Sequence, residues 1–169
     1  MPAMRIASVD CDREQYRDLL LLADEQWDMV ELYLHRGEMF AAYAEDEPRT
    51  KADAALVPHR AFGCMIVTDE GVDERGLRIA EVKSLAVDPA HQRSGVGRSL
   101  LEFAVQHAAR EYDILRVGTG DSPLTVPFYE VCGFTRSHVL PNFFIENYDH
   151  PIVEAGVQLK DMVIFERRL

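Results

Sequence analysis

The sequence predicts an α+β fold, a mixed β-sheet with helices packed on its faces. The first observation is length, because 169 residues fit one domain with a core of its own. The second is the spacing of the apolar residues, which changes between strand-like and helix-like along the chain. The resulting order of elements is β-α-β-β-β-α-β-α-β-β. The third is that helices connect only some of the strands, which favours parallel pairing where a helix intervenes. The whole chain, residues 1–169, is expected to form a single domain.

The first half of the chain predicts three strands and a helical region. The strand-like segments cover residues 4–10, 39–46 and 61–69. Residues 12–37 are expected to form one or two helices, because apolar side chains recur every three or four positions and Gly37 supplies a stop. That apolar set is Leu19, Leu20, Ala23, Trp27, Val30 and Leu34. Residues 47–60 are polar and turn-rich, so they are expected to form a loop.

The second half predicts four strands and two helices. The strand-like segments cover residues 78–88, 113–120, 134–141 and 160–168, and the last two are expected to pair. The first helix follows a glycine loop and is expected to bury the face of Leu101, Ala104, Val105, Ala108 and Tyr112. The second is short and stops at Gly133. Because a proline fits only the first turn of a helix, Pro127 favours Thr125 as its N-cap.

The charge balance limits the partners. Lys and Arg number 18 against 29 Asp and Glu, which gives a formal net charge of −11. Nucleic acids and anionic membranes need clustered basic side chains, so neither is expected as a partner. An acidic chain is compatible with a basic or amine-bearing substrate, although solubility alone would also explain the charge.

The cysteines and the apolar runs favour a cytoplasmic protein. Cys11, Cys64 and Cys132 are odd in number and form no C-x-x-C pair, which indicates reduced thiols and not a disulfide framework. No apolar run approaches the length of a membrane span, and the first residues lack the apolar core of a signal peptide. The six histidines show no metal-ligand spacing, so no metal is expected.

A small cationic, glycine-rich segment stands out in this acidic chain. Between His91 and Leu101 the sequence is "HQRSGVGRSLL", with a strand before it and a helix after it. The first N–H groups of a helix have no intrahelical partner, and the helix dipole adds positive charge there. Gly95 and Gly97 allow a close backbone approach and a positive φ, and Arg93 and Arg98 add charge. The segment predicts an anion site, although the phosphate-binding patterns G-x-x-x-x-G-K-[ST] and G-x-G-x-x-G are both absent.

Three motifs in the second half of the chain resemble motifs of the GNAT superfamily of N-acetyltransferases. "QRSGVG" (Gln92–Gly97) matches the family pattern Q/R-x-x-G-x-G/A, and "SLAVDP" (Ser84–Pro89) is similar to the end of the family's core strand. "FYEVCGF" (Phe128–Phe134) resembles a family motif near the carboxyl terminus, and the tail from Asn142 to Met162 is similar to that of the YvbK-like branch. The resemblance implies a mostly antiparallel sheet of about seven strands and about four helices, with a parallel pair splayed at an acetyl-CoA site.

The resemblance also implies acetyl-CoA as cosubstrate and names the residues that would hold it. Backbone N–H groups of the loop would bind its pyrophosphate, and these belong to Gln92, Arg93, Ser94, Gly95, Val96, Gly97 and Arg98, with Ser99 as a hydroxyl donor. The backbone of Leu85, Ala86 and Val87 would pair with the pantetheine arm, and the Val87 N–H would stabilise the oxyanion. Ser122 stands where the family often has an Asn that contacts pantetheine, and Phe128 is expected to contact the cosubstrate too.

Two residues are implied for proton transfer. Tyr129 is the candidate general acid for the leaving thiolate, and the alternative is a tyrosine that packs a helix on the sheet. Glu81 is the candidate base that takes a proton from the acceptor ammonium. Strand alternation places Glu81 and Lys83 on one face, so an ion pair would explain Glu81 equally well.

The resulting hypothesis is an acetyl-CoA-dependent N-acetyltransferase that transfers the acetyl group to a small amine within a ternary complex. The alternative is a GNAT-like module that binds an acyl-CoA and does not turn it over. Trp27 and Tyr33 are expected in the core, with a substrate-lining role as the alternative. The aromatic and acidic tail, with Glu146 and Asp149, could close over a cationic amine or contact a second copy in a homodimer.

Overall fold

The computed structural model describes residues 3–46 and 61–169, so the predicted loop over residues 47–60 lies outside the described residues. The strands are β1 Met4–Ser8, β2 Glu38–Ala44, β3 Gly63–Val72, β4 Arg78–Val87, β5 Ile114–Gly120, β6 Thr135–Leu140, β7 Val153–Glu154, β8 Val157–Gln158 and β9 Met162–Arg168. The α-helices are α1 Arg17–Ala23, α2 Trp27–Glu31, α3 Val96–Ala108, α4 Val126–Val131 and α5 Phe143–Asn147, and short 3-10 helices cover Arg13–Tyr16 and Pro89–His91.

Seven of the strands form one sheet in the order β1-β2-β3-β4-β5-β9-β6, and β7 pairs only with β8 among the described residues. The pairs β1–β2, β2–β3, β5–β9 and β6–β9 are antiparallel. β4 and β5 are parallel, with Ile79–Val82 in register with Ile114–Val117, as the helix between them predicts. The predicted α+β fold with a mostly antiparallel sheet of seven strands is confirmed. The described residues contain five α-helices where about four were expected.

The chain divides into two compact units. The first consists of Met1–Val67 and Ser84–Phe103, and the second of Thr68–Lys83 and Ala104–Leu169. The prediction of a single domain stays a prediction. The three cysteines are free, with Cys64 and Cys132 buried. No helix in the described part of the chain is long and apolar enough to cross a bilayer.

The helical region of the first unit is broken between α1 and α2. Asp24 and Gln26 are both extended, at φ −140° and −130°, so two short helices replace one long one. Of the predicted apolar set, Leu20, Val30 and Leu34 are buried, and Leu19 and Trp27 are partly buried against the same core. Ala23 is exposed, contrary to expectation, because α1 ends at this residue. The strands contribute Met39, Ala41, Cys64, Ile66 and Ala86 to this core.

The second unit contains the end of α3 and the carboxyl-terminal strands. Ala104, Val105 and Ala108 are buried as predicted, whereas Tyr112 lies beyond the end of α3 and is half-buried. β5 and β9 supply the buried side chains Leu115, Val117 and Phe165. The tail between β6 and β9, to which the sequence assigned no elements, forms α5 and the β7–β8 hairpin. Its aromatic and aliphatic side chains form a small core of Phe144, Ile152 and Leu159, with Phe143 and Tyr148 against it.

A carboxylate on β9 is bound by two arginines, and its loss should weaken the second unit. Glu166 lies 2.8 Å from Arg116 and 3.1 Å from Arg75. Burial raises the pKa of Glu166, but these hydrogen bonds outweigh it and leave the pKa below its usual value. We expect Glu166→Gln to lower the free energy of unfolding by about 1–3 kcal/mol at neutral pH, measured by urea denaturation.

The pH dependence of this effect has a definite sign. Because the folded pKa of Glu166 is depressed, its stabilisation is complete above the unfolded pKa and disappears as the pH falls through the folded pKa. The difference between wild type and Glu166→Gln should therefore vanish in acid. Glu111→Gln is the matched control, since Glu111 is exposed and 4.0 Å from Arg78 and should change stability by less than about 0.5 kcal/mol. A difference that persists in acid would contradict the role of the ion pairs.

Candidate acetyl-group donor site

In the first unit, a short capped turn leads from β4 into the glycine loop. Asp88 is the N-cap of the 3-10 helix, and its Oδ1 accepts a hydrogen bond of 2.8 Å from the Ala90 N–H. Pro89 occupies the start of that helix, where its missing N–H leaves no donor unsatisfied. The Asp88 N–H donates to the Phe62 carbonyl at 2.9 Å. This turn ends β4 at Val87 and fixes the direction of the loop.

Side chains of the loop tie it back to the strand. Gln92 Nε2 donates to the Val87 carbonyl at 3.1 Å, and Ser94 Oγ donates to the His91 carbonyl. The His91 ring stacks on Phe62 with ring centroids 4.0 Å apart. The structure therefore brings together two predicted groups of residues, the end of β4 and the loop.

Two residues with positive φ shape the loop. Gly95 has φ 93°, as predicted for a glycine at this position. Gly97 lies inside α3 and is not among the residues with positive φ, which corrects the expectation for the second glycine. The second positive φ belongs to Arg93, at 59°. The sequence carries no signal for this, because arginine rarely adopts a left-handed conformation.

The amino-terminal end of α3 has the properties of an anion site. The first i to i+4 bond runs from the Ser99 N–H to the Gly95 carbonyl at 3.0 Å, so the N–H groups of Val96, Gly97 and Arg98 have no acceptor within the helix. α3 is 13 residues long, and its dipole favours negative charge at this end. The Arg93 and Arg98 side chains are exposed. These donors and charges fit a diphosphate group.

The segment Leu85–Val87 lies at the end of β4, directly before the loop. Ala86 is buried, while Leu85 and Val87 are half-buried, as alternation along a strand predicts. Gly63 on β3 allows a close approach here, because a Cβ at that position would lie 2.5 Å from the Ala86 carbonyl oxygen. A larger residue at Gly63 would therefore displace the backbone of this segment.

In the second unit, Tyr129 lies on α4 with its ring buried among aromatic side chains. The centroid of its ring is 5.1 Å from that of Phe128 and 6.1 Å from those of Phe134 and Phe165. Burial raises the pKa of Tyr129, and the neighbouring Cys132 and Glu154 raise it further. The phenol therefore keeps its proton well into the alkaline range. Both the packing and the catalytic interpretation of Tyr129 agree with this position.

The turn before α4 carries Ser122. Ser122 is buried, and its Oγ accepts a hydrogen bond of 3.1 Å from the Leu124 N–H. Thr125 is the N-cap of α4 and Pro127 lies in the first turn, as predicted. The Thr125 hydroxyl makes no capping bond but interacts with the Thr119 hydroxyl at 2.9 Å. Phe128, half-exposed, follows in the helix.

Glu81 lies on β4 in the second unit and is engaged by a cation. Lys83 Nζ is 3.2 Å from Glu81 Oε1 and 3.9 Å from Glu70 Oε1. The predicted location of Glu81 and Lys83 on one face is confirmed, and the ion pair that was the alternative interpretation is present. In the tail of the same unit, Glu146 and Asp149 are exposed.

A cluster of three oxygen-bearing side chains in the first unit was not predicted as a site. The Tyr33 hydroxyl donates to Asp24 Oδ2 at 3.1 Å, and the buried Ser84 Oγ has no hydrogen-bond partner among the described residues. Tyr33 is buried, as expected for a core residue, and Ser84 is 3% exposed. These residues are far apart in sequence, so no local pattern could have identified the cluster. Among the described residues no group of three or more His, Cys, Asp or Glu is arranged for metal binding.

The sequence profile of the acetyltransferase (GNAT) domain matches residues 35–136, more than half of the chain. The chain belongs to the GNAT acetyltransferase family. The match covers the loop, all of β4 and the Phe128–Phe134 motif. It ends at Arg136, before the tail.

Relatives and solved structures agree with this GNAT assignment. The chain is 32% identical over 165 residues to the uncharacterised N-acetyltransferase YvbK of Bacillus subtilis, covering 96% of this chain and 95% of that one. A GNAT family acetyltransferase from Elizabethkingia anophelis, solved with acetyl-CoA bound, has TM-score 0.84 and 27% identity over 100% of both chains. A Bacillus subtilis acetyltransferase in complex with CoA has TM-score 0.80 and 30% identity, covering 98% and 99% of the two chains.

Proposed function

We propose that the protein is an acetyl-CoA-dependent N-acetyltransferase that transfers acetyl directly to a small amine. The observation that carries this proposal is the loop Gln92–Gly97, with its positive φ at Gly95 and its N–H groups at the start of α3. The acetyl-CoA and CoA complexes of similar GNAT structures support the choice of cosubstrate. Acetyl-CoA, when bound, supplies a thioester whose carbonyl carbon an amine can attack.

We assign the cosubstrate contacts to three segments of the chain. The loop residues Gln92–Ser99 bind the pyrophosphate through N–H groups and the charges of Arg93 and Arg98. The backbone of Leu85–Val87 pairs with the pantetheine arm, and the Val87 N–H donates to the carbonyl oxygen as it gains charge. Ser122 and Phe128 are assigned further contacts to the cosubstrate.

We assign proton transfer to Tyr129 and Glu81. Tyr129 donates a proton to the leaving thiolate, a role for which a phenol that stays protonated at neutral pH is suited. Glu81 accepts a proton from the acceptor, although it must then act while paired with Lys83. No covalent acyl-enzyme is part of this proposal.

The ion pair of Glu81 favours a second candidate function. The Glu81 carboxylate is paired with Lys83 at 3.2 Å, and this ion pair accounts for the residue without a catalytic role. A GNAT-like module that binds an acyl-CoA without turnover would need no base. The two candidates make different predictions for CoA release.

Calorimetry with acetyl-CoA and a thiol-release assay test the proposal. We expect wild-type protein to bind acetyl-CoA and to release CoA in the presence of at least one primary amine from a panel of putrescine, spermidine, lysine and tyramine. Binding without amine-dependent release would favour the non-catalytic module, and absence of binding would contradict both candidates. The net charge of −11 favours the polycationic members of the panel.

A cytoplasmic location and a homodimer stay predictions.

A further inference from the structure

The backbone groups of Val87, the last residue of β4, have a fixed direction. The Asp88 N–H donates to the Phe62 carbonyl at 2.9 Å, just before β3 begins. The peptide bond between Val87 and Asp88 is trans, and in a planar trans peptide the C=O and the N–H point in opposite directions. The Val87 carbonyl therefore points away from Phe62. Because the N–H and C=O of one strand residue face the same edge, the Val87 N–H lies on that side too.

The Gln92 side chain reaches the Val87 carbonyl from the glycine loop. Its Nε2 donates to the Val87 oxygen at 3.1 Å. The Gln92 backbone is extended, at φ −65° and ψ 153°, where the chain leaves the 3-10 helix and turns toward α3. The bond therefore closes a ring from Val87 through the turn Asp88–His91 to Gln92. It ties the loop to the residue whose N–H was assigned to the thioester carbonyl.

Other contacts hold the loop in its own shape. The His91 N–H donates to the Asp88 carbonyl at 2.8 Å, and Ser94 Oγ donates to the His91 carbonyl. Neither bond involves the Gln92 amide. The loop should therefore keep its conformation without this side chain, and what the Gln92 amide adds is the fixed separation between the loop and Val87.

We propose that the Gln92 side-chain amide is a positioning residue that couples the pyrophosphate donors at the start of α3 to the oxyanion donor at Val87. It acts through the Val87 carbonyl and does not touch the reacting atoms. The inference rests on the proposed function, because it needs an acetyl-CoA held by the loop at one end and by Val87 at the other.

The coupling should act on turnover and not on affinity. A cosubstrate anchored by its diphosphate brings its thioester to the Val87 N–H only if the separation of the two sites matches the length of the pantetheine arm. A displacement of about 1 Å can cost about a hundredfold in rate. Binding of the diphosphate itself does not depend on that separation. A short acetyl thioester without a diphosphate has no second anchor, so its reaction should not depend on it either.

Gln92→Met tests this coupling, because it keeps the length of the side chain and removes the donor. The donors are acetyl-CoA and the short thioester S-acetyl-N-acetylcysteamine, with the amine of the panel that supports turnover. We expect kcat with acetyl-CoA to fall about tenfold, while the KM and the calorimetric Kd for acetyl-CoA stay near the wild-type values. The kcat/KM for the short thioester should match that of wild type.

A matched glutamine controls for the substitution itself. Gln15 is an exposed glutamine on the first 3-10 helix of the same unit, and Gln15→Met should behave as wild type with both donors. If Gln92→Met raises the KM and Kd for acetyl-CoA and keeps kcat, Gln92 only shapes the pyrophosphate loop, and the coupling is overturned. An equal loss of rate with the two donors would overturn it as well, because a general defect at Val87 does not depend on the diphosphate.

Failure of the coupling can be separated from failure of the proposed function. A wild-type chain that releases CoA with an amine, while Gln92→Met matches it with acetyl-CoA, overturns the coupling alone. A wild-type chain that binds no acetyl-CoA, or binds it without amine-dependent release, overturns the proposed function and the coupling together.

Discussion

Gly95→Asp is expected to weaken acetyl-CoA binding at least about a hundredfold, which corresponds to about 2.8 kcal/mol. Two effects act in the same direction. Gly95 has φ 93°, where a side chain adds strain of about 1–3 kcal/mol. An aspartate there also puts a negative charge at the start of α3, where the diphosphate is proposed to bind, and like charges repel. Isothermal titration of the ligand-free protein measures the change in Kd.

A matched glycine separates the loss of the site from a loss of stability. Gly76 has φ 77° and lies in the turn between β3 and β4, where a Cβ would meet no atom within 4 Å beyond its chain neighbours. Gly76→Asp introduces the same residue at a similar backbone angle. It should therefore carry a comparable strain and leave the Kd for acetyl-CoA unchanged. If Gly95→Asp binds acetyl-CoA as tightly as Gly76→Asp does, the loop is not the pyrophosphate site.

Much of the donor-binding region could be predicted because its signals are local. The loop Gln92–Gly97 is one continuous segment, and the need for positive φ at Gly95 follows from glycine chemistry. Proline lacks an N–H and fits only the first turn of a helix, which places Pro127 in the first turn of α4 and Thr125 at its N-cap. Strand alternation was sufficient to place Glu81 and Lys83 on one face.

The features that were missed depend on tertiary contacts. Tyr33 and Asp24 meet because α1 ends at Ala23 and the chain is extended through Asp24. The sequence did not show this break, because the apolar periodicity continues through it. The left-handed conformation of Arg93 is one that arginine rarely adopts. None of these features leaves a pattern in neighbouring residues.

Tyr129→Phe is expected to lower kcat for amine-dependent CoA release about a hundredfold, with little change in acetyl-CoA affinity. The substitution removes one oxygen from a buried ring and keeps its contacts with Phe128, Phe134 and Phe165. Burial raises the pKa of Tyr129, which keeps the proton in place. Because the raised pKa makes the phenol a weaker acid, this role requires that the thiolate leaves in surroundings that disfavour its charge as well. Steady-state kinetics with saturating amine measure the loss.

The pH profile and a second tyrosine distinguish catalysis from packing. Because the pKa of Tyr129 is raised, wild-type kcat should show no loss near the ordinary tyrosine pKa, about 10. Tyr112→Phe is the control, since Tyr112 is a half-buried phenol in the same unit that stacks under Arg78 and has no assigned role. If Tyr129→Phe keeps wild-type kcat while it unfolds at a lower temperature, Tyr129 only packs α4 on the sheet, and the leaving thiolate obtains its proton elsewhere. A large loss in kcat at unchanged melting temperature, absent from Tyr112→Phe, is the result that the assignment of Tyr129 requires.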